Sequence, residues 1–207
     1  MVLAAALVLA GCAGDDAAVD PAVTSIPDDT TSTTTTTEPD TVAPDIIPAD
    51  ESLITEEYVE GVLTALERQN RVSSKLTREA GVVGEDTIEI LFAIGTEPNA
   101  IEGVNSLAEL ARQGFEGYRE DPDPVIYEVI ELVEARSTCI VAVVEIDASG
   151  IFVDPPEAPP PGDLMVELLP ASEEQRASGL NPTAWVIDSI PLVGPGDDAP
   201  DCDVTQR

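Results

Sequence analysis

Three cysteines and no histidine set the chemistry open to this 207-residue chain. Without imidazole there is no Ser-His-Asp or Cys-His nucleophile, no His-ligated zinc and no ordinary proton shuttle near neutral pH. Cys12 closes a short apolar run, immediately after the small residues Ala10 and Gly11. Cys139 and Cys202 lie in the second half and make an even pair, for which a disulfide is the default in an oxidising compartment and two free thiols the alternative. A closed loop of about 63 residues would contribute about 4 kcal/mol through chain entropy. Acids abound, yet there is no D-x-D-x-D-G calcium loop, and Asp197, Asp198, Asp201 and Asp203 sit in a Gly/Pro-rich tail. No metal or cofactor is expected.

Leu9-Ala10-Gly11-Cys12 resembles a bacterial lipobox. Small residues before the cysteine let an extended backbone enter a peptidase groove, and the thiol is what a thioether-linked lipid requires. The resemblance implies a signal peptide over residues 1–11, cleavage after Gly11, lipid on Cys12, and an extracytoplasmic protein anchored to the cell membrane. The apolar run 2–10 would make a helix of roughly 14 Å against a bilayer core of roughly 30 Å, which suits a signal h-region and not a span. Nothing basic precedes Cys12, where such signals carry Lys or Arg; a short basic segment upstream of Met1 is the expected explanation. One acyl chain binds membranes marginally, and the implied lipid carries at least two.

The formal charge is −32. All nine Lys and Arg lie beyond residue 50 with 32 of the 41 acids, leaving −23 there. That balance excludes nucleic acid as a partner, because Lys and Arg supply the counterion-releasing contacts, and it opposes lying flat on anionic lipid. Residues 12–50 read as the lipidated cysteine followed by a disordered linker. Thr30 to Thr37 is almost all threonine, five prolines interrupt the stretch, and nine acids meet no base. As a coil the linker would reach roughly 35 Å, and fully extended roughly 120 Å. Its Thr/Pro composition invites O-glycosylation.

A single domain is expected over residues 51–193. Thr55 caps a first helix that runs to Gly81, with Tyr58, Val62, Leu66, Val72, Leu76 and Ala80 on its apolar stripe. Arg68, Arg71, Lys75 and Arg78 form another stripe of that helix, either docking an acidic partner or, the preferred reading, standing solvated. A second helix covers 86–94 with Ile88, Leu91 and Phe92 inward. A third covers 98–119 on Ile101, Val104, Ala108, Ala111, Phe115 and Tyr118. Strands follow at 125–135 and 138–147, a hairpin, with 151–153 extending or restarting the second. Strands at 164–169 and 184–193 complete the set. The Pro-rich stretch 154–162 reads as a connecting loop in preference to a polyproline ligand, and residues 194–207 as a tail pinned by the disulfide.

Three helices followed by an antiparallel sheet of about four strands is an α+β order. The order resembles the nuclear transport factor 2-like cone, and the match extends to actinobacterial lipoproteins of that type through I-T-E-E-Y-V-E-G-V-L at 54–63, V-D-P-P-E-A-P-P-P at 153–161 and N-P-T-A-W-V-I-D at 181–188. The resemblance implies three N-terminal helices packed on a curved sheet around a pocket. Ketosteroid isomerase-like and cyclase-like enzymes of this cone use an Asp base with Tyr donors, roles that only Asp188, Tyr58, Tyr118 and Tyr127 match here. No motif fixes their spacing, so the expected function is a non-enzymatic binding or scaffold domain in the cell envelope, with an envelope protein as partner. A carrier or sensor of a small apolar ligand is the alternative, and an isomerase or cyclase the third reading.

Overall fold

The computed structural model describes residues 43–154, 163–193, 200 and 202. The lipobox, most of the linker, the Pro-rich stretch at 155–162 and most of the C-terminal tail lie outside these residues.

Helix α1 (Glu56–Ala80) has the ends its sequence signals. Thr55 Oγ1 accepts from Tyr58 N at 3.2 Å, a cap worth about 1 kcal/mol. Gly81 closes the helix at φ 70°, a left-handed conformation that favours glycine. Its first turns bury Tyr58, Val59, Val62, Leu63 and Leu66. Its later turns depart from the expected stripe. Val72 is exposed, while Ser73, Ser74 and Thr77 are buried. Helix α2 (Glu85–Ile94) packs there, and small hydroxyl residues permit close approach. Thr77 Oγ1 donates to Ser73 O at 3.0 Å and shares a 3.3 Å hydrogen bond with Thr87 Oγ1.

In α2 the buried residues are Thr87, Ile90, Leu91, Ala93 and Ile94, and the expected inward Ile88 and Phe92 are exposed. Two packing sides explain the difference. Ile90 and Ile94 join the main core, and Leu91 joins a second cluster shared with α3 (Glu97–Arg112). Helix α3 stops short of 119, because Gly114, Phe115 and Gly117 all have positive φ, which an α-helix does not accommodate. It buries Ala100, Leu107 and Leu110, and Ile101 faces solvent.

The sheet is antiparallel and open, in the order β1-β2-β3-β4: β1 (Ile126–Arg136), β2 (Cys139–Asp147), β3 (Asp163–Pro170) and β4 (Trp185–Ser189). A short β5 (Leu192–Val193) also pairs with β3. The expected single strand at 184–193 is thus two, broken before Pro191, which has no N–H for a ladder. Residues 151–153 are not a strand either. Ser149–Ile151 is a 3-10 turn, and Phe152 makes an isolated bridge with Tyr118. Gly150 is required in that turn, since a Cβ there would meet Asp123 Cβ at 2.5 Å. A short α4 (Glu173–Ala177), opened by a capping box between Ser172 and Gln175, adds a helix to those expected from the sequence.

One sheet face meets α1 through Ile140, Ala142, Val166, Leu168 and Trp185. On the other, Cys139, Val141 and Met165 pack with Cys202, which is disulfide-bonded to Cys139 at a Cα separation of 5.6 Å. Contacts begin before residue 51: Pro44 O accepts from Ala184 N at 2.9 Å and Ile47 packs on the core. Both sheet edges are occupied. At β4, Thr96 N donates to Ile187 O at 2.9 Å. At β1, Glu60 of α1 takes the Val129 N–H at 3.0 Å, and just past the strand Glu51 takes the Ser137 N–H at 2.9 Å.

Candidate functional site

Of the four residues suggested for a cone pocket, Tyr127 shares the main core with Tyr58 and a smaller cluster around Val125 and Ile151 with Tyr118, while Asp188 joins neither. Tyr58, at the start of α1, is buried at the centre of the main core. Its hydroxyl accepts from Trp185 Nε1 at 2.6 Å and donates to Ile46 O at 2.7 Å. Burial raises its pKa, opposed in part by the Trp185 hydrogen bond. Both capacities of that hydroxyl are committed to holding the fold. Tyr118 lies beyond α3 among aromatics, 6.4 Å from Phe115 and 5.1 Å from Phe152 between ring centroids. Tyr127 on β1 packs toward the core and toward Val125 and Ile151. Asp188 is half-buried on β4, and no hydrogen bond joins it to a tyrosine among the described residues.

A buried carboxyl whose charge does reach a tyrosine is Glu67, which the sequence pattern does not single out; Asp45 acts likewise on Tyr58, as a lesser cause. Glu67 stands four residues after Leu63 and eight after Val59, so it occupies the buried stripe of α1 and is only 5% exposed. Glu67 Oε1 accepts from Val125 N at 3.4 Å and lies 4.0 Å from Arg71 Nε. Burial raises its pKa, outweighing the Val125 N–H and the charges of Arg71 and Arg68. Tyr127 is raised as well, first by burial and then by the negative charge of Glu67. The spacing from Leu63 was the available signal, and the charge of the side chain concealed it.

The basic stripe of α1 is only partly a solvated face. Arg71 Nη2 donates to Pro122 O at 3.4 Å, and Arg78 Nη1 donates to Arg119 O at 2.8 Å while stacking 4.6 Å from the Phe115 ring centre. Arg119 in turn donates from Nε to Phe152 O at 2.8 Å. These guanidiniums fasten the segment between α3 and β1. The carbonyls they satisfy, those of Pro122, Arg119 and Phe152, belong to residues outside the regular helices and strands.

Chemistry needs access as well as groups. The space between α1 and the sheet is filled by Trp185, Leu63, Leu66, Ile140 and Leu168, each below 2% exposure. Two shallow surface depressions of about 200 Å³ flank the α1–α2 turn, one lined by residues including Leu76, Ala80 and Thr87, the other by Val82, Val83 and Ala111. Neither is lined by Glu67, Asp188 or any of the three tyrosines. Among the described residues no group of three or more Cys, Asp or Glu is placed to hold a metal, and no helix is long and apolar enough to cross a membrane. Cys12 and Leu9 to Gly11 lie outside the described residues. No family model matches the chain, and neither a curated protein nor a solved structure does.

Glu67 gives a pH signature. Its folded pKa lies above the ordinary 4.5, so the native state holds this proton to higher pH than the unfolded chain does. The stability it lends is present below the ordinary value and is lost as pH rises through the raised one. Glu67→Gln keeps an acceptor for Val125 N without a charge to desolvate. Urea unfolding across that window should show variant minus wild-type stability rising with pH. A difference that stays flat would remove Glu67 as the source.

Proposed function

We propose that the chain is a lipid-tethered, extracytoplasmic protein whose α+β domain serves as a binding or scaffold module in the cell envelope. The observation that carries this reading is the division of labour among three thiols. Cys139 and Cys202 are joined in a buried disulfide, the usual state in an oxidising compartment. Cys12 stands alone at the end of the lipobox-like run, available for lipid. The Thr/Pro/Asp-rich stretch behind it supplies a spacer between membrane and domain.

The finer fold reading is the nuclear transport factor 2-like cone. Helix order supports it, as does the long opening helix that packs on one sheet face and is tied to β1 by the Glu60–Val129 hydrogen bond. The filled interior favours a module that works through its surface over a carrier of a small apolar ligand. It also weighs against an isomerase or cyclase built on Asp188.

Cys12→Ala is expected to abolish labelling by an alkynyl fatty acid and to shift the protein from the membrane pellet to the soluble fraction. Labelling that persists in the variant overturns the assignment of Cys12.

A further inference from the structure

The outward side of β1 holds three large apolar side chains in water: Ile126 is 62% exposed, Ile130 48% and Val133 43%. Tyr127, Val129 and Leu132 pack inward, so alternation turns Ile126 away from the core. Ile130 and Val133 are the extra residues of two register irregularities and have no partner in β2. Scattered exposed apolar residues are ordinary, but three along one strand make a strip.

The charges beside the strip are arranged unfavourably for the isolated domain. Glu128 pairs directly with Glu145 across the β1–β2 ladder, and Glu131 follows on the same strand, all three exposed. Like charges directly opposite in an antiparallel pair repel. Water-facing isoleucines and paired glutamates are relieved together by one kind of surface, apolar and positively charged. The β1 edge does not offer strand addition, because Glu60 already takes the Val129 N–H and the irregularities disturb the ladder. A second copy of this chain would set the same acids against each other, and an anionic membrane would repel them.

We propose that this face docks a basic amphipathic segment of a partner protein. Its apolar side chains lie on Ile126, Ile130 and Val133, and its Lys or Arg among Glu128, Glu131 and Glu145. The proposal rests on the reading of the domain as a binding module and names its partner class.

The test uses the full chain and a labelled peptide of alternating Val and Lys, followed by fluorescence anisotropy. The triple variant Ile126→Ser, Ile130→Ser, Val133→Ser should weaken binding at least about tenfold with the charge untouched. Glu128→Gln, Glu131→Gln, Glu145→Gln should do likewise and flatten the salt dependence. A control that removes equal charge elsewhere, Glu97→Gln, Glu173→Gln, Glu174→Gln, should stay within about twofold. Equal weakening by the control, no binding at all, or an unchanged serine variant overturns the proposal. A dimer of the wild type that the serine variant disperses also overturns it, assigning the face to a second copy. Membrane release by Cys12→Ala reads the tether separately, so a tethered protein that ignores the peptide fails this proposal alone.

Discussion

Trp185→Ala is expected to lower the unfolding free energy by about 4 kcal/mol, a large part of what a domain of this size holds. Trp185 is 0% exposed, and its ring sits between α1 and the sheet with Tyr58, Leu63 and Leu66 around it. Neighbours fixed by α1 and by β3 cannot close over so large a void. Part of the cost is polar. Tyr58→Phe leaves the Trp185 Nε1–H and the Ile46 carbonyl without their partner, for about 2 kcal/mol. Trp185→Phe fills much of the space and leaves the Tyr58–Ile46 bond in place, so it should cost least. Urea titrations should rank the three in that order, with the midpoint moving and the slope unchanged. A Trp185→Ala cost below about 2 kcal/mol would mean the core collapses around the gap.

Removing the disulfide is expected to cost about as much, by another route. Cys139→Ala with Cys202→Ala opens a loop with a sequence separation of 63, for which chain entropy gives about 4 kcal/mol. Both cysteines are nearly buried beside Val141 and Met165 on the sheet face away from α1. Losing the bond therefore also frees position 202 to leave an apolar surface. Thermal unfolding of the double variant, compared with wild type with and without reductant, measures the cost. Limited proteolysis shows whether the segment around Cys202 detaches before the sheet melts. Equal melting temperatures in all samples would make the bond energetically idle.

Much of this fold is legible in the sequence wherever local chemistry decides. Thr55 with Glu56 and Glu57, and Gly81 at the other end, mark α1 because caps are local. The Arg136–Cys139 hairpin is legible because β-branched runs flank a short connection. Facing is harder. Ile88, Phe92 and Ile101 satisfy a helical period as well as the residues that are buried, and only the packing of α2 and α3 against their neighbours decides between them. Glu67 stayed hidden because a carboxylate is normally read as surface, although its spacing from Leu63 is that of a core residue. The Ser172–Gln175 capping box was readable as a helix start, but a helix as short as α4 has almost no period to confirm it. The pocket residues could not be assembled from sequence, since their distances depend on a packing that sets Tyr58, Tyr118 and Asp188 to different tasks.

The hydrogen bonds made by Pro44 and Ile46 have a mechanical meaning. A chain pulled from its N-terminal side, as any tether is under shear, delivers load first to Pro44 O on Ala184 N and to Ile46 O on the Tyr58 hydroxyl. Both points of attachment adjoin Trp185, the best-buried large side chain of the core. Force therefore enters beside this buried ring and passes through Ala184 toward β4 and through Tyr58 into the first turn of α1. The Cys139–Cys202 staple lies away from those two points, on the opposite face of the sheet.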